Sequence, residues 1–294
     1  MNIYRLQNVY RILKNGTVRL TLLKTARIIG LRTLLVRMDL NNFCNIRCIM
    51  CPASKIDSGT VLKKIMSLHH YQKIAADIFP RTCSLHLSCG YEPLLVDHFD
   101  QCLIISKKYR IPFVSFATNG MLIDEHICRV MIKSQIDEII VSTDGATPQT
   151  FESIRKGASF SRLIQNLKRL QEMKKNVNSK KPILRINYTF MDRNIFEIPD
   201  FIEKFSDFGM EILQLRPLRI DSTVFNRRDL FTKQGMNEYN QIIGKVQQIC
   251  KRKNVWLTAL PAIRSVEHIT STDNNESIDK RKKNNACILP WILL

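Results

Sequence analysis

Cys44, Cys48 and Cys51 stand within one short stretch, NNFCNIRCIMCPAS (residues 41–54), with three residues between the first pair and two between the second. Thiolate is a soft ligand, and three thiolates in one loop can converge on a single metal centre. A structural zinc takes four protein ligands, so a fourth would have to come from elsewhere, with Cys89 as a candidate. A 4Fe–4S cluster is usually held by four cysteines. Three nearby leave one iron without a protein ligand and open to a small molecule. The chain has nine cysteines in all, so three incidental thiols in an apolar loop are the plain alternative.

Whatever these cysteines hold, the rest of the chain must position it. Six short β-rich apolar runs predict strands over Leu34–Leu40, Ser84–Cys89, Pro112–Thr118, Glu138–Thr143, Leu184–Phe190 and Glu211–Arg216. Helical spacing marks an apolar face at Leu163, Ile164, Leu167, Leu170 and Met173. A second face runs through Ile195, Ile198, Phe201, Ile202, Phe205 and Phe208, where Asn194 and Glu197 predict a capping box. Thr147-Pro148 predicts a capping residue before a first-turn proline, and Gly209 a helix stop. Gln234–Lys253 carries a further helical pattern, and Val255–Leu260 could add a strand. Strands alternating with helices imply an α/β fold with a parallel sheet and right-handed crossovers. Six units are too few for a full eight-fold barrel, so the expected fold is a partial (β/α)6 TIM-like barrel or an open sheet.

Sites in such folds lie at the C-terminal ends of the strands. The segments just past those ends are Asn41–Cys51, Gly90–Pro93, Asn119-Gly120 and Ser142–Gly145, where polar residues, glycines and cysteines gather. With these residues in view, Cys44–Cys51 resembles the CxxxCxxC signature of radical S-adenosylmethionine (SAM) enzymes. Gly90-Tyr91-Glu92-Pro93 resembles that family's Gly-Gly-Glu-Pro motif, and Thr118-Asn119-Gly120 its Thr-Asn-Gly. Ser142–Pro148, leading to Ser153-Ile154-Arg155, resembles the corresponding segment of the branch with a C-terminal SPASM or twitch domain. The likeness covers roughly residues 34–218.

The resemblance implies a 4Fe–4S cluster on Cys44, Cys48 and Cys51, SAM as second cofactor, reductive cleavage of SAM to a 5′-deoxyadenosyl radical, and hydrogen abstraction from substrate. Relatives of this kind modify peptides, cofactor precursors and carbohydrate-linked metabolites, and draw electrons from an external donor such as flavodoxin or ferredoxin. The resemblance also implies that Glu92 accepts from the SAM ammonium, and that Ser142 and Arg155 hold the ribose and the carboxylate. Asn119 contacts SAM or caps the next helix, and Asp144 orients its turn or faces substrate. Two positions depart from the pattern. Met50 stands where the family often has an aromatic residue, and Tyr91 replaces the second glycine of Gly-Gly-Glu-Pro. A catalytically silent barrel that binds an iron–sulfur cluster or zinc is the alternative.

The remaining cysteines divide. Cys83, Cys89, Cys102, Cys128 and Cys250 are expected to pack as free thiols. Cys287 opens a Cys-x-x-Pro-Trp segment that resembles the start of a SPASM or twitch domain, which is expected to be truncated here. The domain division expected is a basic amphipathic arm over 1–33, a radical SAM core over 34–225, and a helical extension, polar linker and domain start over 226–294.

Composition narrows the field. Hydrophobic residues make up 45% and charged residues 24%, which excludes a disordered or collagen-like chain. From Met1 to Arg37 there are eight Lys/Arg and no acid, but the basic residues interrupt every apolar stretch, so neither a secretory signal nor a transmembrane span is expected. A cytoplasmic, reducing location follows. The net charge of +19 raises nucleic acid as a partner, yet the charge is dispersed and no RNA-binding motif is visible, so a small-molecule or peptide substrate is expected instead.

Overall fold

The computed structural model describes residue 25 and residues 30–56, 62–218 and 232–259. The basic arm expected over 1–33, the polar linker and Cys287 lie almost wholly outside the described residues. Seven strands form one parallel sheet: β1 (Leu34–Met38), β3 (Thr82–Leu87), β4 (Phe113–Thr118), β5 (Glu138–Ser142), β7 (Ile183–Phe190), β8 (Met210–Pro217) and β9 (Trp256–Thr258), in that spatial order. Every neighbouring pair is parallel. This is the expected α/β partial barrel. Its seventh strand is the short β9, which falls within the run Val255–Leu260.

Parallel strands need crossovers, and helices supply them. They are α1 (Ala53–Ile56), α2 (Leu68–Ile78), α3 (Phe99–Lys108), α4 (Glu125–Lys133), α5 (Pro148–Ile154), α6 (Phe160–Asn176), α7 (Ile198–Ser206) and α8 (Lys233–Arg252). Side chains alternate across a strand, so each strand shows one face to the helices and one to the inside of the barrel. On the helix side Leu85, Leu87, Val114, Phe116, Ile139, Val141, Ile186 and Tyr188 are fully buried. Each such side chain contributes on the order of 1.5–3 kcal/mol by leaving water. The inner face is different. Arg37 pairs in register with His86, His86 with Ser115, and Ser115 with Glu138. A polar rung therefore crosses four strands.

Two capping expectations divide. Thr147 caps α5 as read from the sequence, accepting from Thr150 N–H at 3.3 Å ahead of Pro148. The box at Asn194 and Glu197 does not form. Asn194 instead accepts from Met191 N–H at 2.7 Å and donates to the carbonyls of Asp144 (3.0 Å) and Thr189 (2.9 Å). Glu197 accepts from Ala146 N–H at 2.7 Å and from the Thr150 hydroxyl. Both side chains bond the loop after β5, because buried backbone groups there need partners more than the helix end does. Gly209 sits at φ +80°, past the end of α7, where glycine is favoured.

Among the described residues, the thiols outside the cysteine loop are free. Cys102, Cys128 and Cys250 are buried, as expected of packing cysteines. Cys83 is half-buried, donating to the Leu34 carbonyl at 3.2 Å. Cys89 is exposed, which corrects its reading as a packing residue. It follows a residue at positive φ, Ser88 (+88°), and that turn carries its side chain out of the core.

Candidate active site at the strand ends

The cysteine loop follows β1 and is fastened to a segment more than a hundred residues away in sequence. A two-stranded antiparallel sheet joins β2 (Arg47–Cys48) to β6 (Arg155–Lys156), pairing Cys48 with Arg155. Ile49 N–H donates to the Ile154 carbonyl at 2.9 Å, and Cys51 N–H to the Cys48 carbonyl at 3.1 Å. Gly157, at φ +87°, ends β6 in a conformation that side chains disfavour. Cys48 is buried, and Cys44 and Cys51 are half-buried. Burial pushes the Cys48 thiol up to about 11, against the pull of the Arg155 charge.

Glu92 ties the loops together. It is 1% exposed. Its carboxylate accepts from the Thr118 hydroxyl at 2.7 Å, Asn119 N–H at 2.7 Å and Leu94 N–H at 3.2 Å. Its own backbone N–H donates to the Phe43 carbonyl at 3.3 Å, and its carbonyl accepts from the Asn41 side chain at 2.7 Å. Burial pushes the carboxyl up to about 7, and the three donors and Arg155 pull against it. Tyr91 is not among the positive-φ residues, so the backbone here does not require the glycine that the family motif carries.

Asn119 donates from its side chain to Asn45 Oδ1 at 2.7 Å and to Cys44 Sγ at 3.7 Å, and accepts from Met121 N–H at 2.9 Å. It is therefore a brace for the cysteine loop. The cap of α4 is Asp124, which accepts from Ile127 N–H at 2.8 Å. Arg155 is buried, with one terminal nitrogen 3.6 Å from Cys48 Sγ and the other 2.7 Å from Asp144 Oδ2. The contact with Oδ2 is close but too oblique to be a hydrogen bond, and that oxygen and Arg155 Nε are both left without a hydrogen-bond partner. Burial pushes the Asp144 carboxyl up and would pull Arg155 down. The Asp144 and Cys48 charges outweigh that pull on Arg155. A guanidinium does not deprotonate in a protein, so the pair is ionic. Gly145 follows, and a Cβ there would lie 2.7 Å from Phe151 N, which only glycine permits.

The fold thus brings Cys44, Cys48, Cys51, Glu92, Asn119 and Arg155 together at one end of the sheet. Ser142 stands half-buried at the end of β5 beside Asn187 of β7. Asn41, Asn45 and Glu197 complete the framework. Sequence reading gave Asn41 and Asn45 no role and Glu197 only a helix cap, because a loop asparagine or glutamate carries no further signal until its partner is known. A surface cleft lined by Gln72, Ile105, Lys108 and Tyr109 lies between α2 and α3 and shares no residue with this site.

The donor set can be tested for the group it would hold. The three thiols interact electrostatically with one another. Among the described residues, however, no three His, Cys, Asp or Glu side chains are gathered tightly enough for one metal ion. Cys89 is outside this set. Three spaced thiols without a fourth fit a multi-iron group with one open iron better than a tetrahedral zinc. The orphaned Arg155 Nε, buried beside Cys48, fits an anionic ligand adjoining that group.

Comparison with known proteins agrees with this geometry. The model of the radical SAM superfamily matches residues 38–205, more than half of the chain. A relative described as a probable GTP 3′,8-cyclase of Methanocaldococcus jannaschii is 28% identical over 188 residues, covering 63% of this chain and 59% of that protein. The chain spans about three fifths of the length of such curated relatives. Among solved structures, Streptococcus suis SuiB bound to S-adenosylmethionine superposes with a TM-score of 0.61 at 14% identity, over 86% of this chain and 56% of that one. The anSMEcpe protein with bound AdoMet gives 0.60 at 17% identity, over 76% and 63%. At these identities the two structures speak for the fold alone.

Proposed function

The chain belongs to the radical SAM superfamily, and from that premise we propose that it binds a 4Fe–4S cluster on Cys44, Cys48 and Cys51 and SAM beside it. When bound, that pair supplies reductive cleavage of SAM and abstraction of a hydrogen atom from substrate. The observation that carries the reading is the convergence of Glu92, Asn119 and Arg155, from three separate loops, on the cysteine loop.

The protein's own residues hold and orient. The Arg155 guanidinium, kept charged by Asp144, would hold the SAM carboxylate. Glu92 has accepted three donors and keeps capacity for the SAM ammonium. Ser142, at the end of β5, would hold the ribose. Met50, half-buried against the core, would fill space near the adenine without stacking. The branch proposed is the one with a SPASM or twitch domain, supported by Ser142–Pro148, Arg155 and the Cys287-x-x-Pro-Trp segment, with residues 34–225 as the catalytic core. The substrate class remains a peptide, a cofactor precursor or a carbohydrate-linked metabolite. The name of the curated relatives adds a purine nucleotide to the cofactor precursors.

Anaerobic reconstitution tests the proposal. Iron and sulfide bound together, visible charge-transfer absorbance, and 5′-deoxyadenosine formed from SAM with a reductant are expected. Zinc bound without iron and sulfide would replace this reading with that of a silent metal-binding barrel.

A further inference from the structure

The inner face of the sheet holds a concentration of positive charge that the site at the strand ends does not use. Arg37 of β1 stands opposite His86 of β3. Arg185 of β7 and Arg216 of β8 share the same face. Arg185 pairs with Ile140, two residues along β5 from Glu138, and Arg216 pairs with Thr189, four residues along β7 from Arg185. The steps are even, so all these side chains enter the barrel. Arg185 and Arg216 both donate to the single oxygen Gln214 Oε1, the latter at 2.5 Å. Among the described residues, one carboxylate lies within ion-pairing distance of them: Glu138, 3.7 Å from Arg185. Among the described residues, Arg37 and Arg216 have no carboxylate within ion-pairing distance.

Among the described residues, three guanidiniums gather on this face with one ion-paired carboxylate, and such an excess of positive charge repels itself wherever water is scarce. Its effect reaches its neighbours. Burial, together with Arg185 and Arg37, pulls Arg216 down to about 10. Burial and all three arginines pull His86 down to about 4, so it is neutral and adds no charge. The three arginines come from strands at opposite sides of the sheet order and converge from different directions. A planar carboxylate is served by one guanidinium fork, whereas a tetrahedral phosphate offers oxygens to several.

We infer that Arg37, Arg185 and Arg216 form the subsite for a phosphate group of the substrate, on the inner face of the sheet and below the cysteine loop. This rests on the reading of the strand ends as a radical SAM site. It narrows the substrate to a phosphorylated small molecule and away from an unmodified peptide.

The test uses the full chain, anaerobically reconstituted, with inorganic pyrophosphate as probe and succinate and sulfate at equal ionic strength as controls. Calorimetry should show one pyrophosphate site per chain, and neither control should match it. Arg216→Gln and Arg37→Gln should each weaken that binding about tenfold or more. Glu138→Gln should tighten it severalfold, an effect that mere structural damage would not produce. Should Arg216→Gln fail to fold, Arg216→Lys keeps the charge and removes the fork, and an affinity between those of wild type and Arg37→Gln is expected. SAM binding and cluster absorbance, measured on the same samples, should not change in the Arg37 variant. Absent or unsaturable pyrophosphate binding, equal binding in the variants, or succinate binding as well as pyrophosphate would overturn the inference, even with SAM cleavage intact. Loss of SAM cleavage with pyrophosphate binding retained would instead strike the radical SAM reading.

Discussion

The rim of the barrel and its inner face solve opposite electrostatic problems. At the rim nearly every charge has a partner: Glu92 accepts three donors, Arg155 faces Asp144, and Asn119 braces the cysteine loop. On the inner face Arg185 and Arg216 share one amide oxygen, Glu138 faces Arg185, and Arg37 adds a third guanidinium. Wiring of the first kind holds a loop in one geometry before any ligand arrives. An imbalance of the second kind is at its least favourable when empty and improves when an anion enters. The difference teaches that stability and binding are assigned to different layers of the same sheet.

Substitutions can break that contrast, and they rank by size. Cys48→Ala removes a proposed cluster ligand and should abolish iron–sulfur absorbance and 5′-deoxyadenosine formation outright, read by anaerobic spectroscopy and product assay. Arg155→Leu strands the buried Asp144 carboxylate and should cost about 3–5 kcal/mol in urea unfolding, with SAM binding lost as well. The inner face should sense acid. The unfolded chain takes up a proton near the ordinary histidine value of 6.5, whereas folded His86 refuses it until about 4. Stability should therefore fall as pH drops through that window, by up to about 3 kcal/mol, and His86→Gln should flatten the profile. Gly145→Ala forces a methyl onto Phe151 N and should cost about 1–3 kcal/mol in thermal unfolding. Smallest is Arg216→Gln, expected within about 0.5 kcal/mol of wild type because it relieves repulsion as it gives up a hydrogen bond. A large destabilisation there would erase the distinction between the layers.

Several parts of this picture were legible in the chain before it folded. The cysteine spacing, the order of the strand-end motifs and the alternation of strand and helix are local patterns, each set by residues within a few positions of one another, so sequence periodicity carries them. The box at Asn194 and Glu197 failed for the converse reason. Both have the right local spacing, but the loop after β5 competes for their side chains and wins. Cys89 likewise follows a strand and reads as core until the Ser88 turn exposes it.

By itself the sequence determined the family and the three thiols, because three cysteines within eight residues and a run of strand ends need no distant contact to be recognised. Only the tertiary structure decided what surrounds them. Cys48 pairs with Arg155, and Arg37 shares the inner face with Arg216, across separations that no window of sequence spans. The register of parallel strands joined by helical crossovers fixes those neighbours, and register is a property of the whole sheet.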